Sequence, residues 1–169
     1  MLKLNLNLLK NIKTPKLSHV DSTGKVSMVD ITNKNFQTRK ATAECKIILS
    51  EQAYNEVYMN KNTKKGDIIT VAKIAGINAA KNTSNIIPLC HSINLTHIEI
   101  DVLFPNSISC QTKTELLIRS TCTAKYATGV EMEALMASNV TALTIYDMIK
   151  AVDSKCVIND LKLINKTKQ

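Results

Sequence analysis

Asp147 and Lys150 stand three residues apart near the end of a helical segment over 129–150. That spacing puts both side chains on one face. A carboxylate beside an ammonium is either an ordinary surface ion pair or, in a substrate cleft, a pair that gives and takes protons. Glu131 and Glu133 occupy the first turn of the same segment. There they either complement the positive end of the helix dipole or reach into a site. Being two apart, they point to different sides. Between the two ends the residues are largely apolar, among them Leu135, Met136, Val140, Leu143, Ile145 and Met148. A helix apolar on most sides is mostly buried, and ionisable groups on it are costly unless paired or used. This helix is therefore the first place to expect chemistry, its apolar body acting as a rod that fixes the distance between its ends.

A second group of residues is basic. Lys64, Lys65, Lys73 and Lys81 surround one helical stretch, and Asp67 is the only acid between Lys61 and Lys81. Singly, each lysine reads as a solvated side chain. Together they suit phosphates, held by ammonium point charges. Neither G-x-x-x-x-G-K-[ST] nor G-x-G-x-x-G occurs, so no P-loop or dinucleotide fingerprint is present. His91 follows Ile86-Ile87-Pro88-Leu89-Cys90 in a loop, where a histidine is either structural or functional. Cys90 alone is a small hydrophobe. A Cys90–His91 nucleophile pair is disfavoured, because adjacent side chains in an extended loop point apart. These residues point to an enzyme of a phosphorylated metabolite and leave the reaction open.

The elements that must position these groups follow from hydropathy. Residues 39–49 alternate, with Ala41, Ala43, Cys45, Ile47 and Leu49 on one face, as in a half-buried strand. Ser50 is placed to cap a short helix through Tyr58. A polar loop over 61–65 precedes a helix over 67–82, with Val71, Ala72, Ala75 and Ala79 as its inner stripe. A loop covers 83–95. Residues 97–104 and 108–119 alternate on either side of Pro105-Asn106-Ser107 and read as a hairpin. After the 129–150 helix comes a strand over 156–164. Residues 1–37 read as an arm with a short strand near 28–31. The order β-α-α-β-β-α-β predicts an α+β, ferredoxin-like (split βαβ) antiparallel sheet, with helices on one face and one helix added. The expected domain covers 18–165, flanked by a basic tail (1–17) and a polar tail (166–169).

The 169 residues contain 22 Lys and Arg against 14 Asp and Glu, a net charge of +8. A basic surplus favours anionic partners. Five cysteines with no C-x-x-C pair argue against a disulfide framework or structural zinc site, and fit reduced thiols. The first 17 residues lack the apolar run and cleavage site of a secretory signal. Four Tyr, two Phe and no Trp leave little for stacking bases.

Six motifs in order then carry a resemblance: Lys65-Gly-Asp67, Ala72-Lys-Ile-Ala-Gly-Ile77, Ala79-Ala-Lys81, Ile87-Pro-Leu-Cys-His91, Gly129-Val-Glu-Met-Glu-Ala-Leu135 and Ala142-Leu-Thr-Ile-Tyr-Asp-Met-Ile-Lys-Ala-Val152. From about Leu17 to Asn165 the chain resembles the MoaC family, the cyclic pyranopterin monophosphate synthases of molybdenum cofactor biosynthesis. The resemblance implies a lyase acting on (8S)-3′,8-cyclo-7,8-dihydroguanosine 5′-triphosphate. Such enzymes rebuild its rings into a pyranopterin, close a cyclic phosphate and release pyrophosphate. By position, Asp147 and Lys150 would be catalytic. Leu89, Cys90, His91, Met132 and Glu133 would bind substrate, with Lys65, Lys73, Lys81 and Glu131 lining the pocket. The resemblance also implies no metal or cofactor, no nucleic-acid or membrane partner, a cytoplasmic or else organellar setting, and a homohexamer (a trimer of dimers) with sites at subunit interfaces. Two departures stand out. Ala127 occupies a slot, two before Gly129, where the family usually carries Lys or Arg, so that Lys125 substitutes or a phosphate contact is lost. Lys73 stands where Arg is common, which alters bidentate phosphate contact. The rival readings are an RNA-binding module of the same fold, which needs stacking aromatics on its central strands, and a non-catalytic assembly protein.

Overall fold

The structure is a computed structural model that describes residues 18–21, 23–59, 67–105 and 113–169. Its elements in chain order are β1 (Gln37–Ser50), α1 (Glu51–Met59), α2 (Ile68–Lys81), α3 (Thr83–Ile86), β2 (His97–Leu103), β3 (Lys113–Tyr126), α4 (Glu131–Ile149) and β4 (Val157–Lys168). The four strands form one sheet in the order β2-β3-β1-β4, every neighbouring pair antiparallel. This is the α+β, ferredoxin-like arrangement expected of the element order.

The alternating strands bury one face. Ala43, Cys45, Ile47 and Leu49 of β1 meet Leu116, Ile118 and Cys122 of β3 beneath the helices. Helices α2 and α4 cross closely there. A Cβ on Gly76 would collide with the Thr141 hydroxyl and the Ile100 side chain, so only glycine allows this approach. That crossing also corrects the expected inner stripe of α2. Ile68, Ala72, Gly76, Ala79 and Ala80 face inward, while Val71 is 38% exposed, because the close crossing admits small residues and turns the bulky one out. Asp67 caps α2 through the amides of Ile69 and Thr70, and Ser50 accepts from the Ala53 amide at the start of α1.

Other boundaries differ from expectation for identifiable reasons. The 83–95 loop contains the single helical turn α3. β3 continues seven residues past 119, where small buried residues replace large apolar ones: Ser120 donates to the Ala134 carbonyl of α4 at 2.6 Å. β4 runs to Lys168, so the expected polar tail is strand. Its backbone pairs with β1 as far as Arg39–Lys168, while nearly all its side chains are exposed and give no alternating hydropathy. No strand forms over 28–31; the arm instead makes one bridge, Val20 to Val26, with Val26 and Met28 exposed. Lys65, the 61–65 loop and residues 108–112 of the hairpin lie outside the described residues.

Candidate active site

The start of α4 and the loop after α3 meet at one end of the sheet. The loop is tied by the Cys90 amide donating to the Ile87 carbonyl at 3.1 Å. His91 is held from the other side: its Nε2 lies 2.9 Å from the Val29 carbonyl of the arm. A carbonyl only accepts, so Nε2 carries the hydrogen, and in the neutral ring Nδ1 is left as an acceptor. The arm, the loop and the first turn of α4 enclose a cavity of about 370 Å³. Leu89, Cys90, His91, Glu131, Met132 and Glu133 all line it. The cavity thereby unites these residues, each singled out from sequence.

Of the four carboxyl and ammonium groups on α4 and its C-cap, only Glu133 is buried, at 4% exposure. Burial pushes its carboxyl up to about 7, and the negative charge of Glu131 adds to the effect. At neutral pH this group sits near half-protonation, where it is able both to donate and to accept a proton. Burial also raises the thiols of Cys90 and Cys122, the latter to about 12, and the Glu133 charge contributes to both. Cys90 is thus a neutral thiol in this cavity, in keeping with a binding role. Glu131 folds back over Gly129, into space that a Cβ there would fill, and pairs with Lys166 at 3.2 Å.

Asp147 and Lys150 are elsewhere. They form an ion pair of 2.7 Å with both side chains more than half exposed. The premise that α4 buries its charges at both ends is therefore corrected: in its last turn Ile145 and Ile149 are buried, while the side that carries Asp147 and Lys150 faces solvent. At 1.5 Å rise per residue, the helix from Glu133 to Asp147 spans about 21 Å. Lys73 is half-buried and Lys81 exposed on α2, and neither lines the cavity.

The arm supplies residues that sequence reasoning missed. Ser18, His19, Val29 and Lys34 form one wall of the cavity. His19 Nδ1 is buried with no hydrogen-bond partner among the described residues. A second cavity, of about 240 Å³, lies across Gly129 and Glu131 from the first, lined also by Arg39, Lys40, Lys166 and Lys168. Arg39 donates to the backbone carbonyls of Tyr126 and Ala127, each at 3.4 Å. Among the described residues, no group of three or more His, Cys, Asp or Glu side chains could hold a metal ion, and no helix is long and apolar enough to cross a membrane.

Residues 28–169 match the MoaC family. The chain belongs to that family. It is 46% identical over 153 residues to the mitochondrial cyclic pyranopterin monophosphate synthase of Arabidopsis thaliana, covering 90% of this chain and 54% of that protein. It is 45% identical over 152 residues to the cyclic pyranopterin monophosphate synthase of Staphylococcus haemolyticus, covering 90% and 93% respectively. The human molybdenum cofactor biosynthesis protein 1 is 42% identical over 156 residues, covering 92% of this chain and 24% of that protein. This chain therefore spans about half of the plant relative, a quarter of the human one and nearly all of the bacterial one. The RNA-binding rival finds no support on the sheet. The face of β2 and β3 away from the helices presents His97, Glu99, Asp101, Leu103, Leu117, Arg119 and Thr123, and no row of aromatic side chains to stack bases. Phe104 instead packs against Tyr54 and Tyr58, ring centroids 6.0 and 5.3 Å away.

Proposed function

We propose that this MoaC-family chain is a cyclic pyranopterin monophosphate synthase. It would convert (8S)-3′,8-cyclo-7,8-dihydroguanosine 5′-triphosphate to cyclic pyranopterin monophosphate and pyrophosphate. The observation that carries this reading is the cavity that joins Leu89, Cys90 and His91 to Met132 and Glu133. It offers a purine-derived ring a neutral thiol, an imidazole and a carboxyl group that titrates near neutrality. Cations around the phosphates stabilise the charge that develops as pyrophosphate leaves.

Asp147 and Lys150 are proposed as the proton-transfer pair for ring opening and closure. Acid–base groups must come within hydrogen-bond reach of the reacting atoms. About 21 Å of helix separates Asp147 from Glu133 in one chain, so both cannot serve the same reacting ring there. A second copy would bring its Asp147 and Lys150 to this cavity, which supports a homo-oligomer with interfacial sites, a hexamer built from dimers. Lys65, Lys73 and Lys81 are proposed as further contacts to the substrate phosphates, again from a neighbouring subunit or from the polar loop. The proposed compartment is the cytoplasm, where the unpaired Cys45, Cys90, Cys122 and Cys156 stay reduced. The name of the Arabidopsis relative favours an organellar matrix as the alternative.

The test is to supply the cyclised GTP intermediate to the purified protein and follow pyrophosphate release and pyranopterin formation. Stoichiometric appearance of both is expected. Unchanged substrate in the presence of correctly folded protein would refute the assignment.

A further inference from the structure

A pair of side chains that acts on a site it does not itself enclose must point in a fixed direction. Asp147 and Lys150 are both more than half exposed, so packing around the pair does not set that direction. The last turn of α4 is anchored on its other side by Ile145 and Ile149, both buried. The chain beyond the helix is tied down as well. The amides of Val152 and Asp153 both donate to the Ile149 carbonyl, at 2.8 and 3.0 Å, and close the helix end. The hydroxyl of Tyr146, the residue before Asp147, donates to the Ser154 carbonyl at 3.4 Å. A further tie is long in sequence. The Ser50 amide donates to one carboxylate oxygen of Asp153 at 2.7 Å, and the Lys155 amide donates to the other at 3.1 Å.

Ser50 ends β1, the strand that lies between β3 and β4 in the sheet. Its hydroxyl already accepts from the Ala53 amide at the start of α1, so that helix has a cap of its own. Helix caps come from residues at the helix start; this acceptor comes from 103 residues away and joins two separate segments. The Ser50 amide is the main reason that the Asp153 carboxyl lies below its ordinary range, and a bond to a charged acceptor is a strong one. We propose that Asp153 is a positioning residue: its carboxylate holds the turn after α4 against the end of β1 and so fixes the direction in which Asp147 and Lys150 are presented to the cavity of a neighbouring copy. Asp153 touches no reacting atom. Without it the turn over 150–155 opens locally while the buried body of α4 stays in place. A displacement of the pair by about 1 Å is enough to slow the reaction about 100-fold. This assignment rests on the proton-transfer role proposed above for Asp147 and Lys150, but the tie itself is testable without turnover.

The experiment compares wild type, Asp153→Ala and Asp153→Asn as full chains, by backbone hydrogen exchange and by kinetics on the cyclised GTP intermediate. In Asp153→Ala the amides of Ser50, Lys155 and residues 150–153 should exchange about tenfold faster or more, and those of Glu133 to Ala142 at the wild-type rate. Its kcat should fall by about 10- to 100-fold with KM within about twofold of wild type, because the cavity that binds the rings is intact. Asp153→Asn keeps an oxygen to accept from the Ser50 amide and should recover most of the lost kcat. A residue that served stability alone would lower the melting temperature of Asp153→Ala and leave kcat of the folded protein unchanged. Wild-type kcat in Asp153→Ala well below its melting temperature, or unchanged exchange at Ser50 and Lys155, overturns the proposal. If the exchange result holds while wild type leaves the intermediate unconverted, the tie stands and the proposed reaction falls.

Discussion

Replacing Glu133 with glutamine should make the protein more stable in a way that depends on pH. Glu133 is 4% exposed, and burial lifts its carboxyl from the ordinary 4.5 to about 7 in the folded chain. Below about pH 4.5 the group is protonated in both the folded and unfolded states and contributes no pH-dependent difference. Between about 4.5 and 7 the unfolded chain gives up its proton while the folded chain keeps it, so stability falls as pH rises. Above about 7 the folded chain must hold a buried carboxylate, and the full cost is present. At about 1.4 kcal/mol per pH unit that cost is about 3 kcal/mol. A glutamine side chain has the same shape as glutamate and cannot ionise. The advantage of Glu133→Gln over wild type should therefore be small at about pH 4, grow through neutrality and level off near about 3 kcal/mol by about pH 8. Urea denaturation at one fixed subunit concentration measures this, with a midpoint shift on the order of 1–2 M at about pH 8. Titrating groups that Glu133 does not influence cancel in the comparison. A difference between the two proteins that stays flat from about pH 4 to about pH 8 would refute the buried, raised carboxyl.

The remaining expectations test packing, thiol chemistry and the ion pair. Gly76→Ala drives a methyl group into Thr141 and Ile100 at the α2–α4 crossing and should cost about 1–3 kcal/mol, read as a lower melting temperature; an unchanged melt would contradict the close crossing. Cys90 should react slowly with iodoacetamide at about pH 7, and faster in Glu133→Gln, because burial and the Glu133 charge both hold its thiol protonated. Peptide mapping by mass spectrometry checks this, and equal rates in the two proteins would remove Glu133 from its surroundings. Asp147→Ala and Lys150→Ala should each abolish turnover while leaving the melting temperature within about a degree or two, since the pair is exposed; near-normal turnover in both would withdraw the catalytic assignment.

Short-range patterns carry what the sequence reveals. The alternation of Ala41 to Leu49 and of His97 to Phe104 marks strands, and the element order marks the sheet. The motif residues around Cys90 and Glu133 mark the cavity, because each set is contiguous in the chain. The parts that escape are built from distant or featureless segments. His19 and Lys34 sit on an arm with no periodicity, so nothing local announces that it folds over His91. Arg39 and Lys168 are brought together by strand pairing, which leaves no signature when side chains on the strand are exposed. The full length of β4 is hidden for the same reason. Hydropathy places Val71 on the inner face of α2 ahead of Gly76, while a close helix crossing favours the smaller residue. A mostly apolar α4 suggests one buried environment for all its charges. The length of the helix puts them in two.

The most direct test of the composite site is to mix two inactive variants. Glu133→Ala damages the cavity, and Lys150→Ala damages the pair that a second copy is proposed to bring. Co-assembled in equal amounts by denaturation and refolding, about half of the dimers are mixed, and each of these has one site with both halves intact. Conversion of the cyclised GTP intermediate should then recover to about a quarter of the wild-type rate under two-fold symmetry. A mixture that co-assembles yet remains inactive would contradict the shared site.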